Sequence, residues 1–180
     1  MGKALAFTGH GPKGPPFGGD EMGAACIRLK ALLLKEIMGR AARGYDAFYC
    51  GAARGDILFG EQVLWVKATT CPAIRLICAI PHPAQAARWS EPWRSRRARL
   101  LALADEAVLI SPRYAAGCYR RRNRYMVERA DALLAVYDGV GRGGVAYAVA
   151  CARRRGREIV RIDPHTLERT AEAPERRERR

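Results

Sequence analysis

This sequence has no metal-site or redox-motif spacing. Its six cysteines, Cys26, Cys50, Cys71, Cys78, Cys118 and Cys151, form no Cys-x-x-Cys pair and no ligand spacing with the three histidines. Several lie inside apolar runs, where a thiol behaves as a small hydrophobe. No apolar stretch reaches the roughly 18 residues that a bilayer span requires, and no signal-type segment opens the chain. The expectation is a cytoplasmic, reducing compartment with no metal, no required cofactor and no membrane insertion. Acid is scarce beside base: 18 Asp and Glu stand against 32 Lys and Arg, almost all of them Arg, for a formal charge of +14. Such a charge attracts polyanions without sequence specificity, so nucleic acid is compatible as a non-specific partner, and solvated helix faces are the plainer account. An alternating platform of aromatic and basic residues is also missing, as is any internal repeat.

What is present is an alternation of strand and helix. Short apolar runs bounded by Gly, Pro or Asp occur at Ala4 to Phe7, Ala47 to Cys50, Ile74 to Ile80, Ala107 to Ile110, Ala132 to Tyr137 and Glu158 to Ile162. Apolar on both faces, they read as strands of a covered parallel sheet. Helical periodicity fills the gaps at Asp20 to Arg43, Ile57 to Thr69, Glu91 to Ala104, Tyr119 to Ala130 and Gly143 to Arg155. The fold class implied is α/β: a Rossmann-like, doubly wound, mostly parallel sheet with helices on both faces. Residues 1–163 read as a single domain and 164–180 as a charged tail, frayed or disordered, because the stretch from Arg169 has almost no apolar residue.

In such a sheet ligands bind beyond the carboxyl ends of the strands, where strand order reverses. The first strand leads into Thr8, Gly9 and His10, then Gly11 and a loop stiffened by Pro12, Pro15 and Pro16. The second leads into Gly51, Arg54, Gly55 and Asp56. Pro81, His82, Pro83, Gln85 and Trp89 follow the third, and Asp138, Gly139 and the loop from Gly141 to Gly144 follow the fifth. A glycine turn feeding a helix offers backbone N–H groups to an anion, although neither the dinucleotide fingerprint nor the Walker pattern is present. Arg54 could pair with an anion and Asp56 hold a hydroxyl pair or a water. His10 serves either as an acid or base or as a loop anchor. Trp89 is a candidate for stacking on a base, Trp65 reads as core, and Glu61 as a helix-surface carboxylate. Of the arginines in the run 120–124, only one or two can share a helix face.

Several of these strings resemble the YpsA-like family of the SLOG superfamily, which also contains DprA and the LOG phosphoribohydrolases. They are Phe7-Thr8-Gly9-His10, the Gly-x-Ala-x-Gly element at 51–55, Ile80-Pro81, Arg122-Asn123-x-x-Met126-Val127, and Ala135-Val136-Tyr137-Asp138-Gly139 followed by Gly143-Gly144. The resemblance runs in order from about residue 4 to 163. It implies a Rossmann-like domain binding a nucleotide or nucleotide-derived ligand, with a pocket at Thr8, Gly9, His10, Gly51, Arg54, Gly55, Arg122, Asn123, Asp138, Gly143 and Gly144. Arg122 and Asn123 enter through the resemblance alone. The chain departs from the family's pattern at Gly11, where an arginine is usual, at Val145, where a threonine is usual, and at Asp56, which follows Gly55 directly.

Three functions are compatible with these residues. The first is a sensor or regulatory module for a nucleotide-derived small molecule. The second is an N-glycosidic hydrolase of the LOG type, although the LOG-type Pro-Gly-Gly-x-Gly-Thr-x-x-Glu motif is missing. The third is single-stranded nucleic-acid binding of the DprA type. Homo-oligomerisation is compatible with the fold, and no stoichiometry follows.

Overall fold

The computed structural model describes residues 2–10 and 19–174; Gly11, Pro12, Pro15, Pro16 and positions 175–180 lie outside the described residues. Elements alternate as β1 (Lys3–Gly9), α1 (Ala24–Ala41), β2 (Tyr45–Cys50), α2 (Arg54–Thr69), β3 (Arg75–Ile80), a 3-10 turn (Pro83–Ala86), α3 (Glu91–Leu103), β4 (Glu106–Leu109), α4 (Cys118–Arg129), β5 (Ala132–Val136), α5 (Gly143–Arg154), β6 (Glu158–Ile162) and β7 (Arg169–Glu172). The strands form one sheet in the order β4-β3-β2-β1-β5-β6-β7. Pairing is parallel from β4 through β6 and antiparallel only between β6 and β7. Strand order reverses between β1 and β5, which places the switch point at the ends of those two strands.

The two-residue period of a strand divides the core between the sheet's faces. On β1, Leu5 and Phe7 join a cluster with Leu29, Leu33 and Ile37 of α1 and Phe59 and Val63 of α2. Ala4 and Ala6 point the other way, into a cluster with Met126 and Val127 of α4 and Ala148 and Val149 of α5. Phe7 stacks on Phe59 with ring centroids 4.5 Å apart. The first cluster packs large side chains; the second uses alanines, which let the α4 and α5 layer approach closely.

At the amino ends of the strands, Arg40 is fully buried yet paired. Its guanidinium donates two bonds to Glu158, at 2.8 and 2.6 Å, and a third to the Tyr45 hydroxyl at 2.8 Å. Those bonds hold the Glu158 carboxyl below its usual range, against the opposing effect of burial. The arrangement joins the end of α1 to β2 and β6.

Three features differ from the sequence reading. Helix α1 begins at Ala24 rather than Asp20, because the Asp20 carboxylate accepts from the Met22 N–H at 2.9 Å and so makes a turn ahead of the helix. Trp65 is not core: its ring is 50% exposed on α2. The segment from Arg169 to Glu172 is strand, not frayed tail. It pairs with β6, and its ends are held by Arg153 to Glu172 at 2.7 Å and by Arg169 to Glu36. Backbone pairing and ions hold β7, so it carries no apolar alternation for a sequence reading to detect.

Candidate functional site

The carboxyl ends of β1, β2 and β5 converge on a small set of polar side chains. Asp56, in the first turn of α2, turns inward and is buried. Its Oδ2 accepts from the Gly51 N–H at 3.0 Å and the Ala53 N–H at 3.4 Å, and faces Arg122 Nη1 at 3.4 Å. Burial pushes the Asp56 carboxyl up, with Arg122 and the two N–H groups opposing. Asp56 therefore braces the turn and Arg122.

Arg122 comes from α4 and is 7% exposed. It occupies the space a side chain at 51 would need: a Cβ on Gly51 would lie 1.3 Å from Arg122 Nη1. Apart from the Asp56 contact the guanidinium has spare capacity, since its buried Nε has no partner among the described residues. Asn123, the next residue, donates from Nδ2 to the Gly144 carbonyl at 2.9 Å, and its buried Oδ1 is unpartnered. Gly55 is fixed by a different approach: a Cβ there would lie 2.2 Å from the His10 carbonyl oxygen. Thus the turn after β2 touches the turn after β1, and α4 touches the start of α5.

His10 Nε2 lies 3.7 Å from Asp138 Oδ1 across the switch point, an ion-pair distance without a hydrogen bond. The same Asp138 oxygen accepts from the Val140 N–H at 2.9 Å, shaping the loop after β5. Gly139 and Gly143 both have left-handed backbone, at φ +90° and +86°, so the loop needs glycine at each. Gly143 opens α5, with Gly144 next in its first turn. Thr8 is buried beside Ala135 at the end of β1, and Gly9 pairs with Val136. A small, mainly apolar crevice of about 10 Å³, lined by residues of β1, α1, α2 and β5, lies beside these turns.

Two of the expected residues lie slightly apart. Arg54 stacks over the Trp89 ring, 5.6 Å from its centroid, and Trp89 itself packs partly into the core. That face of Trp89 is therefore already covered by a guanidinium. Val145 points into the second core cluster and takes no part in the loop's polar surface. Glu61 bridges α2 to Arg96 of α3. In the arginine run only Arg122 faces the site; Arg120 covers Tyr147, and Arg121 reaches the Ala116 carbonyl.

Sequence reasoning did not reach Arg97. Its Nη2 donates to Gln85 Oε1 at 3.2 Å, and Gln85 Nε2 donates to the Gly51 carbonyl at 3.1 Å. This chain extends the polar cluster from β2 to α3, and no local spacing in α3 announces it. Among the described residues no group of three or more His, Cys, Asp or Glu could hold a metal ion. All six cysteines are free thiols; Cys50 and Cys78, on neighbouring strands, touch at 3.7 Å.

The family model described as the YspA SLOG family matches residues 6–167. The chain belongs to that family. It is 29% identical over 139 residues to a UPF0398 protein of Bacillus pumilus, covering 76% of this chain and 74% of the relative. It is 36% identical over 85 residues to a UPF0398 protein of Shouchella clausii, covering 46% and 45%. Among solved structures, it resembles DNA processing protein A of Helicobacter pylori, described for its single-stranded DNA binding mode. The TM-score is 0.61 at 14% identity, over 93% of this chain and 68% of that one. DNA processing protein A of Streptococcus pneumoniae gives 0.55 at 12%, over 92% and 52%. At these identities the solved structures share the fold. No helix among the described residues is long and apolar enough to cross a membrane.

Proposed function

We propose that this chain binds an anionic, nucleotide-derived small molecule at the β1/β5 switch point and acts as a sensor or regulatory module. The observation that carries the reading is the buried Arg122 and Asn123 pair. Each has an unpartnered buried polar atom, and each contacts one of the two glycine turns, Gly51 and Gly144. A polar atom left unpaired in a protein interior is costly, and a ligand that pairs it recovers that cost. The Gly139 to Gly144 loop and the start of α5 supply backbone N–H groups for a phosphate on the same edge. Binding there would be felt in α4 through the Asn123 to Gly144 bond, a route suited to signalling.

The test is a thermal-shift panel of AMP, ADP, NAD, ADP-ribose, inorganic phosphate and a short single-stranded oligonucleotide, at low and high salt. A ligand at about 100 times its Kd adds roughly 2.7 kcal/mol, or roughly 5–10 °C in a domain of this size. A salt-resistant shift for a nucleotide, lost in Gly144→Asp, supports the reading. Gly144→Asp is suitable because a Cβ at 144 meets only Asn123 Nδ2, at 3.5 Å, and an acid at a helix start leaves the free protein stable. No nucleotide shift overturns it.

A second reading, single-stranded nucleic-acid binding, is favoured by the likeness to the Helicobacter pylori protein together with the +14 charge. It predicts a shift with the oligonucleotide that weakens steeply with salt. The N-glycosidic hydrolase reading rests on His10 facing Asp138, and turnover of whichever nucleotide binds tests it.

A further inference from the structure

A second polar cluster lies at the ends of β2 and β3, on the side of the turn at Gly51 away from β5. His82, just after β3, is 6% exposed; its Nε2 lies 3.2 Å from the Tyr119 hydroxyl of α4, and its buried Nδ1 has no partner. Arg97 reaches the same region from α3. Its one hydrogen bond is to Gln85, its buried Nε is unpartnered, and no carboxylate pairs with it among the described residues. Burial pushes the Arg97 guanidinium down, a mark of a cation held without a counter-ion. Arg122 completes the group from the other side of Gly51. Burial pushes the Tyr119 phenol above its ordinary value, with Arg122 and Arg97 opposing. Tyr119 is 41% exposed and the neighbouring Tyr114 69%, and both rings stand edge-on to His82, with centroids 5.6 and 5.3 Å away.

His82, Arg97 and Arg122 come from three separate elements, and each keeps one buried nitrogen without a partner. The acid nearest to them is Asp56, which faces Arg122 and is already shared with two backbone N–H groups. Buried donors that lack a partner are arranged for one that arrives. Arginine forks and an imidazole N–H fit the tetrahedral oxygens of a phosphoryl group better than an apolar ligand.

We infer that His82, Arg97, Tyr119 and Arg122 form a second anion subsite, which takes a phosphoryl group of the ligand. The inference rests on the reading of a nucleotide-derived ligand and narrows it. The Gly51 turn lies two strands from β5, about 10 Å at the usual strand spacing. A ligand engaging the Gly143 loop and this subsite together carries anionic groups at two separated positions. A nucleotide phosphorylated at two separated positions, the 5′ carbon and a ribose hydroxyl, meets that requirement; the adjacent phosphoryl groups of a single diphosphate, joined through one oxygen, do not span it.

The experiment is calorimetric titration of the full chain with pyrophosphate and with ADP, for wild type, Arg97→Gln, Tyr119→Phe and Gly144→Asp, with the melting temperature of each free protein recorded. Pyrophosphate is expected to bind wild type and to bind Arg97→Gln about tenfold or more weakly, the usual effect of losing a charge-assisted hydrogen bond. Tyr119→Phe is expected to weaken it by a smaller factor with an unchanged melting temperature, which separates ligand contact from folding. Gly144→Asp is expected to keep pyrophosphate while losing ADP. Equal pyrophosphate affinity in wild type and Arg97→Gln, or no pyrophosphate binding, overturns the subsite. If ADP then still depends on Gly144, the broader reading stands without it. If ADP fails to bind while pyrophosphate depends on Arg97, the subsite stands and the nucleotide reading falls.

Discussion

Arg122 Nη1 lies where the side chain of residue 51 would begin, 1.3 Å from the position of a Cβ on Gly51. Glycine at 51 is therefore a steric requirement set by an arginine that sits 71 positions later in the sequence.

Gly51→Ala is expected to expel the Arg122 guanidinium and separate it from Asp56. Breaking a buried pair of this kind costs about 3 kcal/mol. Urea unfolding would read the loss, and a variant with wild-type stability would refute the placement of Arg122. Ligand affinity should fall in parallel.

Gly55→Ala meets backbone instead of a side-chain end. The new Cβ would lie 2.2 Å from the His10 carbonyl oxygen and 2.7 Å from its carbon, so the β1 turn and α2 must move apart. The expected cost is about 2 kcal/mol, the scale of overpacking in a closed space. The free protein's melting temperature decides this one.

The Arg40 and Glu158 pair predicts an acid limb of stability. Its arginine bonds depress the Glu158 carboxyl in the folded chain below the 4.5 of an unperturbed glutamate. The pair's stabilisation is thus complete above that value and is lost as pH falls through the lower, folded one. Glu158→Gln should flatten this part of a stability profile measured between about pH 2 and pH 7. An unchanged slope would show that Glu158 does not contribute.

Asn123→Leu removes the side-chain bond from α4 to the Gly144 carbonyl. A loss of about 1 kcal/mol is expected. Hydrogen exchange should rise in residues 139–145 and stay unchanged at the ends of β2. Equal protection in both proteins would mean that the loop holds itself.

The sheet and its switch point were legible because apolar runs, glycine turns and helical spacing are local signals. Gly143 and Gly139 announced their turn in the same way. The roles of Asp56 and Trp65 were not legible. Whether Asp56 faces a ligand or a buried arginine depends on α4, more than sixty positions away, and Trp65 looks like core until the groove between α2 and α3 is seen to leave it open. Arg97 shows the limit plainly. Nothing in the sequence of a helix full of arginines distinguishes the one whose side chain turns inward; its buried Nε does so in the structure.

The antiparallel seam between β6 and β7 has a consequence for handling the protein. Without β7, the whole outer margin of β6 would offer unsatisfied amide and carbonyl groups in register, a template onto which another chain could add. Proteolysis just before Arg169 would then leave the Arg40 and Glu158 anchor and the upper turns untouched while making the molecule adhesive. Clipped material should accumulate as ordered aggregates before it loses its helices, because the failure begins at a border and not in the core.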